Sequence, residues 1–90
     1  MNKTMKNAIK KILGTDGRFF SAMYIKNDGE VRSINCRLGV KKGTTGKGLA
    51  FNAFERGYLP VWDAQKRAFR MLNLNTLLEI CVDGKRNILW

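Results

Sequence analysis

The sequence predicts a mainly β domain with an N-terminal α-helix, in which short strands close into a small barrel. Apolar residues recur at helical spacing near the start and then alternate with a period of two from Arg18 onward. Glycine-containing turns separate the strands at fairly even intervals, and closing the sheet would leave no strand edge exposed. Ninety residues suffice for one core, so we assign residues 1–90 to a single domain.

Residues 3–13 are predicted to form the helix. Its apolar side chains share one side and its lysines take the rest: Met5, Ala8, Ile9, Ile12 and Leu13 against Lys3, Lys6, Lys10 and Lys11. Gly14 can end the helix because glycine accepts a positive φ. We expect the helix to cover one open end of the barrel with its lysines in solvent. A basic helix laid against phosphates is the functional alternative.

Residues 18–38 are predicted to form the first hairpin. Phe20, Ala22 and Tyr24 alternate with side chains that are also fairly apolar, so we expect this strand to be covered on both sides. The turn is assigned to Asn27–Glu30, where Asp-Gly suits a type I′ turn. On the return strand, one face carries Ile34, Cys36 and Leu38.

Residues 39–57 are the irregular part, rich in glycine and lysine. Gly39–Gly48 superficially matches a P-loop. However, Lys41 stands where that motif needs its first glycine, and Gly48 stands where it needs Ser or Thr. A looser hypothesis is that glycines let backbone N–H groups approach a phosphate while lysines add charge. The alternative is a solvated loop whose glycines only make turns. Leu49–Phe51 fit either a short strand or a helical turn.

A second hairpin is predicted from Tyr58–Asp63 and Arg67–Leu74, joined by Ala64–Lys66. Pro60 has no N–H to donate, which places its strand at a sheet edge or turns that position toward solvent. A short helical turn then leads to the next strand.

The strand Leu77–Val82 completes the barrel, which is predicted to span residues 18–82. Residues 83–90 hold one more turn, Asp83–Lys85, and a possible terminal strand at Ile88–Trp90. We see no internal repeat and no linker.

The chain is strongly basic, with 17 Lys and Arg against 7 acidic residues and a net charge of +10. Such a balance favours nucleic acid, an anionic membrane surface or an acidic protein as partner. No apolar run approaches the ~18 residues of a membrane span, and no signal-peptide core follows the N-terminal lysines. We therefore expect no membrane partner and a cytoplasmic location.

Several classes of chemistry are excluded by composition. The chain has no histidine, which rules out Cys/His zinc sites and catalysis by Ser-His-Asp or Cys-His groups. No pair of carboxylates has a spacing that suits acid–base work. We expect no enzymatic activity, no metal and no cofactor. Cys36 and Cys81 are expected to be reduced and buried, although the sequence leaves a disulfide between them open.

The aromatic residues include two candidates for stacking. Tyr58 and Trp62 fall on the face of their strand opposite Leu59. If Leu59 points inward, both rings stand outside near Arg67 and Arg70. A base could stack on them while the arginines hold phosphates, as in single-strand binding surfaces. The alternative is that Trp62 packs beneath the helix.

The chain carries NCRLGVKK at residues 35–42, VWDAQKR at 61–67 and FRMLNL at 69–74. In these segments it resembles a family of small phage-encoded proteins described as WYL-like with an Sm-like β-barrel. The likeness covers roughly residues 18–82 and implies a five-stranded Sm-like (SH3-like) barrel. The larger WYL superfamily implies a domain that senses nucleic acids or nucleotide ligands through basic and aromatic residues.

The resemblance also implies roles for particular residues. Arg67 and Arg70 would match the basic residues of one barrel strand. Tyr58-Leu59 would match the last two residues of the Trp-Tyr-Leu motif from which the WYL family takes its name. The chain departs from that motif at its first letter, where Gly57 replaces the tryptophan.

The leading functional hypothesis is a small basic phage-type accessory protein that binds single-stranded DNA or RNA, or a nucleotide-like ligand. The residues predicted to bind it are Arg37, Lys41, Lys42, Lys47, Tyr58, Trp62, Lys66, Arg67 and Arg70. A second hypothesis is a protein-binding inhibitor of a host enzyme or defence complex, acting in the host cytoplasm. A third is a structural homo-oligomer built through exposed edge strands of the barrel.

Overall fold

Six antiparallel strands and one α-helix dominate the described part of the chain, which comprises residues 3–38 and 52–90 of this computed structural model. In chain order the elements are α1 (Lys3–Leu13), β1 (Phe20–Ile25), β2 (Val31–Leu38), a π-helical turn (Asn52–Arg56), β3 (Tyr58–Asp63), β4 (Ala68–Asn73), a 3₁₀ turn (Leu74–Thr76), β5 (Leu77–Val82) and β6 (Lys85–Ile88). The prediction of a mainly β fold with an N-terminal helix is confirmed.

The strands form a single sheet in the order β4-β3-β2-β1-β5-β6. Because residues opposite each other on paired strands share a face, the sheet has two distinct sides. We call inner the face that carries the buried core: Phe20, Ala22, Ile34, Cys36, Leu59, Val61, Leu72 and Ile80. The helix α1 packs into this same core and contacts β5 and the π-helical turn. On the outer face, large side chains such as Val31 and Met71 remain exposed.

The helix forms where the sequence predicts it and buries Ala8, Ile9 and Ile12, in agreement with the apolar spacing. The first hairpin is also confirmed, but its turn is not type I′. That type needs a positive φ at both central residues, whereas Gly29 alone has one in this turn, with φ 89°. Nor is β1 covered on both sides. Its outer side is only partly covered, with Ser21 and Met23 half-buried and Ile25 38% exposed, because α1 packs against the inner-face core.

The second hairpin pairs β3 with β4, but Arg67 lies in the connecting turn and not on the strand. Pairing begins only at Ala68, and Arg67 has the left-handed φ of 52°. The last strand begins earlier than predicted, at Lys85. Asp83 and Gly84, with φ of 51° and 78°, form a two-residue turn, so the ladder resumes at once.

The described sheet is open, since no strand pairing joins its edge strands β4 and β6. It has six strands where the resemblance implies five. Strand β3 is not an edge strand, although it contains Pro60. The last described pair between β2 and β3 joins Leu38 with Val61, and Pro60 lies one residue beyond it. The absence of an N–H group at Pro60 therefore interrupts no described pairing between these two strands.

In residues 3–38 and 52–90, no helix is both long and apolar enough to cross a bilayer.

Candidate nucleic-acid interface

Four side chains form a line across the outer face, which we call the aromatic row: Phe19, Arg37, Trp62 and Phe69. Strand register creates it, because Arg37 pairs with Trp62 and Trp62 pairs with Phe69. Phe19 extends the row, since the guanidinium carbon of Arg37 lies 5.7 Å from the Phe19 ring centroid. At the other end, the rings of Trp62 and Phe69 meet edge to face with centroids 4.9 Å apart.

The aromatic row is largely open to solvent. Phe19 is 55% exposed and Phe69 is 59% exposed. Arg37 is exposed as well, and Trp62 is half-buried. Full burial of a phenylalanine side chain is worth about 1.5–3 kcal/mol, so the isolated domain leaves this stabilisation unused at two positions. Clustered exposed rings of this kind mark a surface that contacts another molecule.

The turn of residues 64–67 places two further cations at the Trp62–Phe69 end of the row. Lys66 and Arg67 are both exposed there. Asp63 fixes the turn, because its carboxylate Oδ1 accepts hydrogen bonds from the backbone N–H groups of Gln65 (3.0 Å) and Lys66 (3.2 Å). The two cationic side chains are therefore carried on a defined turn.

Arg70 lies on the inner face, because it pairs with Val61 across the hairpin. Its Nε is 3.1 Å from Oδ2 of the fully buried Asp63, and its Nη1 donates a 2.7 Å hydrogen bond to the Tyr24 hydroxyl. The Nε–H group is not aligned with Oδ2, so this contact is an ion pair and not a hydrogen bond. The sequence analysis placed Arg70 and Trp62 on one surface, whereas the structure places them on opposite faces of the sheet.

The remaining predicted site residues are divided. Leu59 points inward, as expected, and Tyr58 lies half-buried on the same outer face as Trp62. Since α1 packs against the inner face, Trp62 is not beneath the helix. Lys41, Lys42 and Lys47 lie outside the described residues. The structure therefore brings together four of the predicted residues, at one end of the outer face: Arg37, Trp62, Lys66 and Arg67.

Sequence reasoning missed Phe19 and Phe69, because it selected only Tyr58 and Trp62 as candidates for stacking. A signal for each was present. Phe19 and Phe20 are adjacent on extended chain, so only one of them can face the core. Phe69 is separated from Leu72 by an odd number of positions, which puts the two on opposite faces of the same strand.

The two cysteines are free, and the fold excludes a disulfide between them. Cys36 pairs with Phe20 and Cys81 pairs with Ser21, so they flank β1 on opposite faces. Two strand spacings separate them, roughly 10 Å, which exceeds the reach of a disulfide. Burial raises the pKa of the Cys36 thiol to about 12, and the neighbouring Asp63 charge adds to this rise. Cys81 is only half-buried, contrary to expectation.

No family model matches the chain, and the searches of curated proteins and of solved structures found no match. The candidate interface is therefore defined by its own geometry: a cation between exposed rings, with two more cations on a fixed turn beside them.

Proposed function

We propose that this protein is a small accessory protein of phage type that binds single-stranded DNA or RNA, or a nucleotide-like ligand, through the outer face of its sheet. The observation that carries the proposal is the aromatic row, in which Arg37 stands between Phe19 and Trp62. Surfaces that bind single strands combine exposed rings, which stack on bases, with cations, which hold phosphates.

The distribution of charge supports this proposal. Arg37, the cation of the aromatic row, faces rings and not a carboxylate. Lys66 and Arg67 are exposed on the turn beside the row. Phosphate groups can replace the counterions around such side chains, and the release of those ions supplies affinity. Arg70 remains one of the proposed binding residues. Its ion pair with Asp63, however, mainly supports a role in holding the shape of the binding surface.

We also propose that the sheet curls toward an Sm-like barrel. Strands β1 and β4 are separated in the sheet by two others, yet the Tyr24 hydroxyl and Arg70 are hydrogen-bonded across the inner face. The 3₁₀ turn before β5 and the pairing of β5 with β1 also support a curled sheet. The described parts of the segments that resemble the WYL-like phage proteins, residues 35–38, 61–67 and 69–74, supply strands and the turn of the proposed interface.

Replacing Arg37 and Arg67 together by alanine tests the proposed interface. We expect weaker binding of single-stranded oligonucleotides and a logarithmic salt slope that is smaller by about 1.4, because each lost phosphate contact contributes about 0.7. The measurement is fluorescence anisotropy with labelled single-stranded DNA, single-stranded RNA and duplex DNA at several salt concentrations.

The matched control removes the same charge elsewhere, through Lys10→Ala and Lys85→Ala. Both lysines are exposed, on α1 and on the far edge strand β6. If both double variants change the slope equally, binding depends only on net charge and the proposed site is wrong. Equal affinity for duplex and single strands would also count against it, because bases in a duplex are not free to stack.

A protein partner is the second candidate function, since the outer face is apolar well beyond the row. Met71 is 62% exposed, Val31 is 58% exposed and Ile88 is 51% exposed. A pull-down from nuclease-treated host lysate separates the two functions. A partner retained after nuclease treatment, and lost with Met71→Asp, would favour a protein-binding inhibitor.

A further inference from the structure

We infer that the aromatic row binds two unpaired bases that are not stacked on each other, without regard to their identity. The inference rests on the proposed function and specifies what the same site takes. It follows from the internal packing of the row, the distance between its parts and the stacking chemistry of its groups.

The row consists of two separate platforms. One is the Phe19 ring with the Arg37 guanidinium above it, and the other is the pair of Trp62 and Phe69. Within each platform the two groups already contact each other, so no base can enter between them. Each platform therefore has one outward surface left and takes one base.

The distance between the two platforms determines whether the bases of a bound nucleic-acid strand can remain stacked on each other. One platform straddles β1 and β2 and the other straddles β3 and β4, so their centres lie two strand spacings apart, or roughly 10 Å. Stacked bases follow one another every ~3.4 Å. Two bases on separate platforms thus cannot remain stacked on each other, and the strand must be single and locally splayed.

The composition of the row explains why base identity should not matter. Rings and a guanidinium plane stack on any base, because every base has a π-face. The side-chain oxygens of the two neighbouring amides already accept hydrogen bonds within the protein: the Asn35 Oδ1 accepts from the Ser21 hydroxyl, and the Gln65 Oε1 accepts from the Asn35 backbone N–H.

The experiment uses labelled octanucleotides that differ in bases but not in phosphates. They carry eight, four, two, one or no thymines, with abasic sites at the other positions, and an all-adenine octamer is added. We expect each stacked base to raise affinity about ten-fold, the gain to end at two bases, and thymine and adenine octamers to bind alike. Phe69→Leu and Phe19→Leu should each weaken the thymine octamer about ten-fold and leave the abasic octamer unchanged.

Ile88→Leu, an exposed residue of the far edge strand β6, is the control and should change neither. Equal affinity of the wild type for the abasic and thymine octamers would overturn the inference and leave only phosphate binding by the cations of the site. A gain that continues beyond two bases, or a large preference between thymine and adenine, would overturn it as well. No binding to any octamer would remove the proposed function itself.

Discussion

Asp63 links the inner core to the outer surface at the level of a single residue. One carboxylate oxygen holds the 64–67 turn, and the other neutralises Arg70, which in turn reaches Tyr24. The residue is fully buried, so these partners take the place of water around its carboxylate. The position of Lys66 and Arg67 beside the aromatic row thus depends on a residue that no ligand can touch.

Replacing Arg70 by methionine tests this dependence. The change leaves the Asp63 charge buried without its partner, so we expect the free energy of unfolding to fall by about 3 kcal/mol. This lies at the low end for a buried pair because the Arg70 side chain is 27% exposed. The measurement is urea unfolding followed by tryptophan fluorescence. The double variant Asp63→Asn/Arg70→Met should recover part of the loss, and no recovery would show that the pair is not coupled.

Cys36 gives the fold a predictable response to alkaline pH. The folded thiol keeps its proton up to about pH 12, whereas the unfolded thiol, with its ordinary pKa of 9.0, releases it earlier. Between these values the unfolded state binds fewer protons, so stability falls as pH rises.

Comparison with Cys36→Ala isolates this effect. The alanine variant should be less stable than the wild type at pH 8 because of the cavity, and the difference should shrink by about 1.4 kcal/mol at pH 10. Urea unfolding at the two pH values measures it, with Cys81→Ala as the control thiol. A difference that does not change with pH would mean that Cys36 titrates alike in both states.

Among the secondary structure elements, the entry into β3 is the most constrained. Gly57 has φ 74°, and its carbonyl oxygen accepts a 2.8 Å hydrogen bond from the Leu74 N–H group. A Cβ at this position would lie 2.9 Å from Nδ2 of Asn75. Any side chain at this position would therefore combine left-handed backbone strain with a close contact to Asn75.

Gly57→Ala should destabilise the protein by about 2–3 kcal/mol, because it adds left-handed strain to a steric clash. Gly29→Ala is the matched control, since Gly29 has a similar φ of 89° but nothing within 4 Å of the added Cβ. Thermal unfolding of both variants measures the difference. If adding Asn75→Ala to Gly57→Ala restores no stability, the clash is not the cause.

The individual elements were largely predictable because their signals are local. Helix α1 follows from the spacing of Ala8, Ile9 and Ile12, and β2 from the alternation of Ile34, Cys36 and Leu38. The aromatic row was not predictable in the same way. Phe19 and Phe69 meet in one row only because β2 and β3 lie between them in a fixed register, and register depends on contacts far apart in the chain.

At the scale of the whole molecule, the 17 cationic residues outnumber the 7 acidic ones and leave a net charge of +10. Within residues 3–38 and 52–90, ion pairs hold five of the acidic residues: Asp28, Glu30, Asp63, Glu79 and Asp83. The Glu79 carboxylate, for example, accepts two hydrogen bonds from the Arg86 guanidinium. The excess of cations favours the external polyanion that we propose as the partner.

The composition alone predicted this basic character, and turn spacing predicted the mainly β fold. The predicted closure into a barrel is not confirmed, since the described sheet is open, and it could not be derived from local patterns. The contact between Tyr24 and Arg70, which supports the proposed curl of the sheet, joins residues that are distant in sequence and carry no local signal of their meeting.

The central position of β1 has a consequence for the order in which the sheet forms on the ribosome. Its neighbour β2 follows after a short turn and can pair with it at once, but its other neighbour, β5, is synthesised only after β2, β3 and β4. Until then the nascent chain carries a half-paired strand with a free backbone edge, a state prone to aggregation. Slow translation between β2 and β5 would prolong that state, so the yield of native protein should depend on how quickly β5 leaves the exit tunnel.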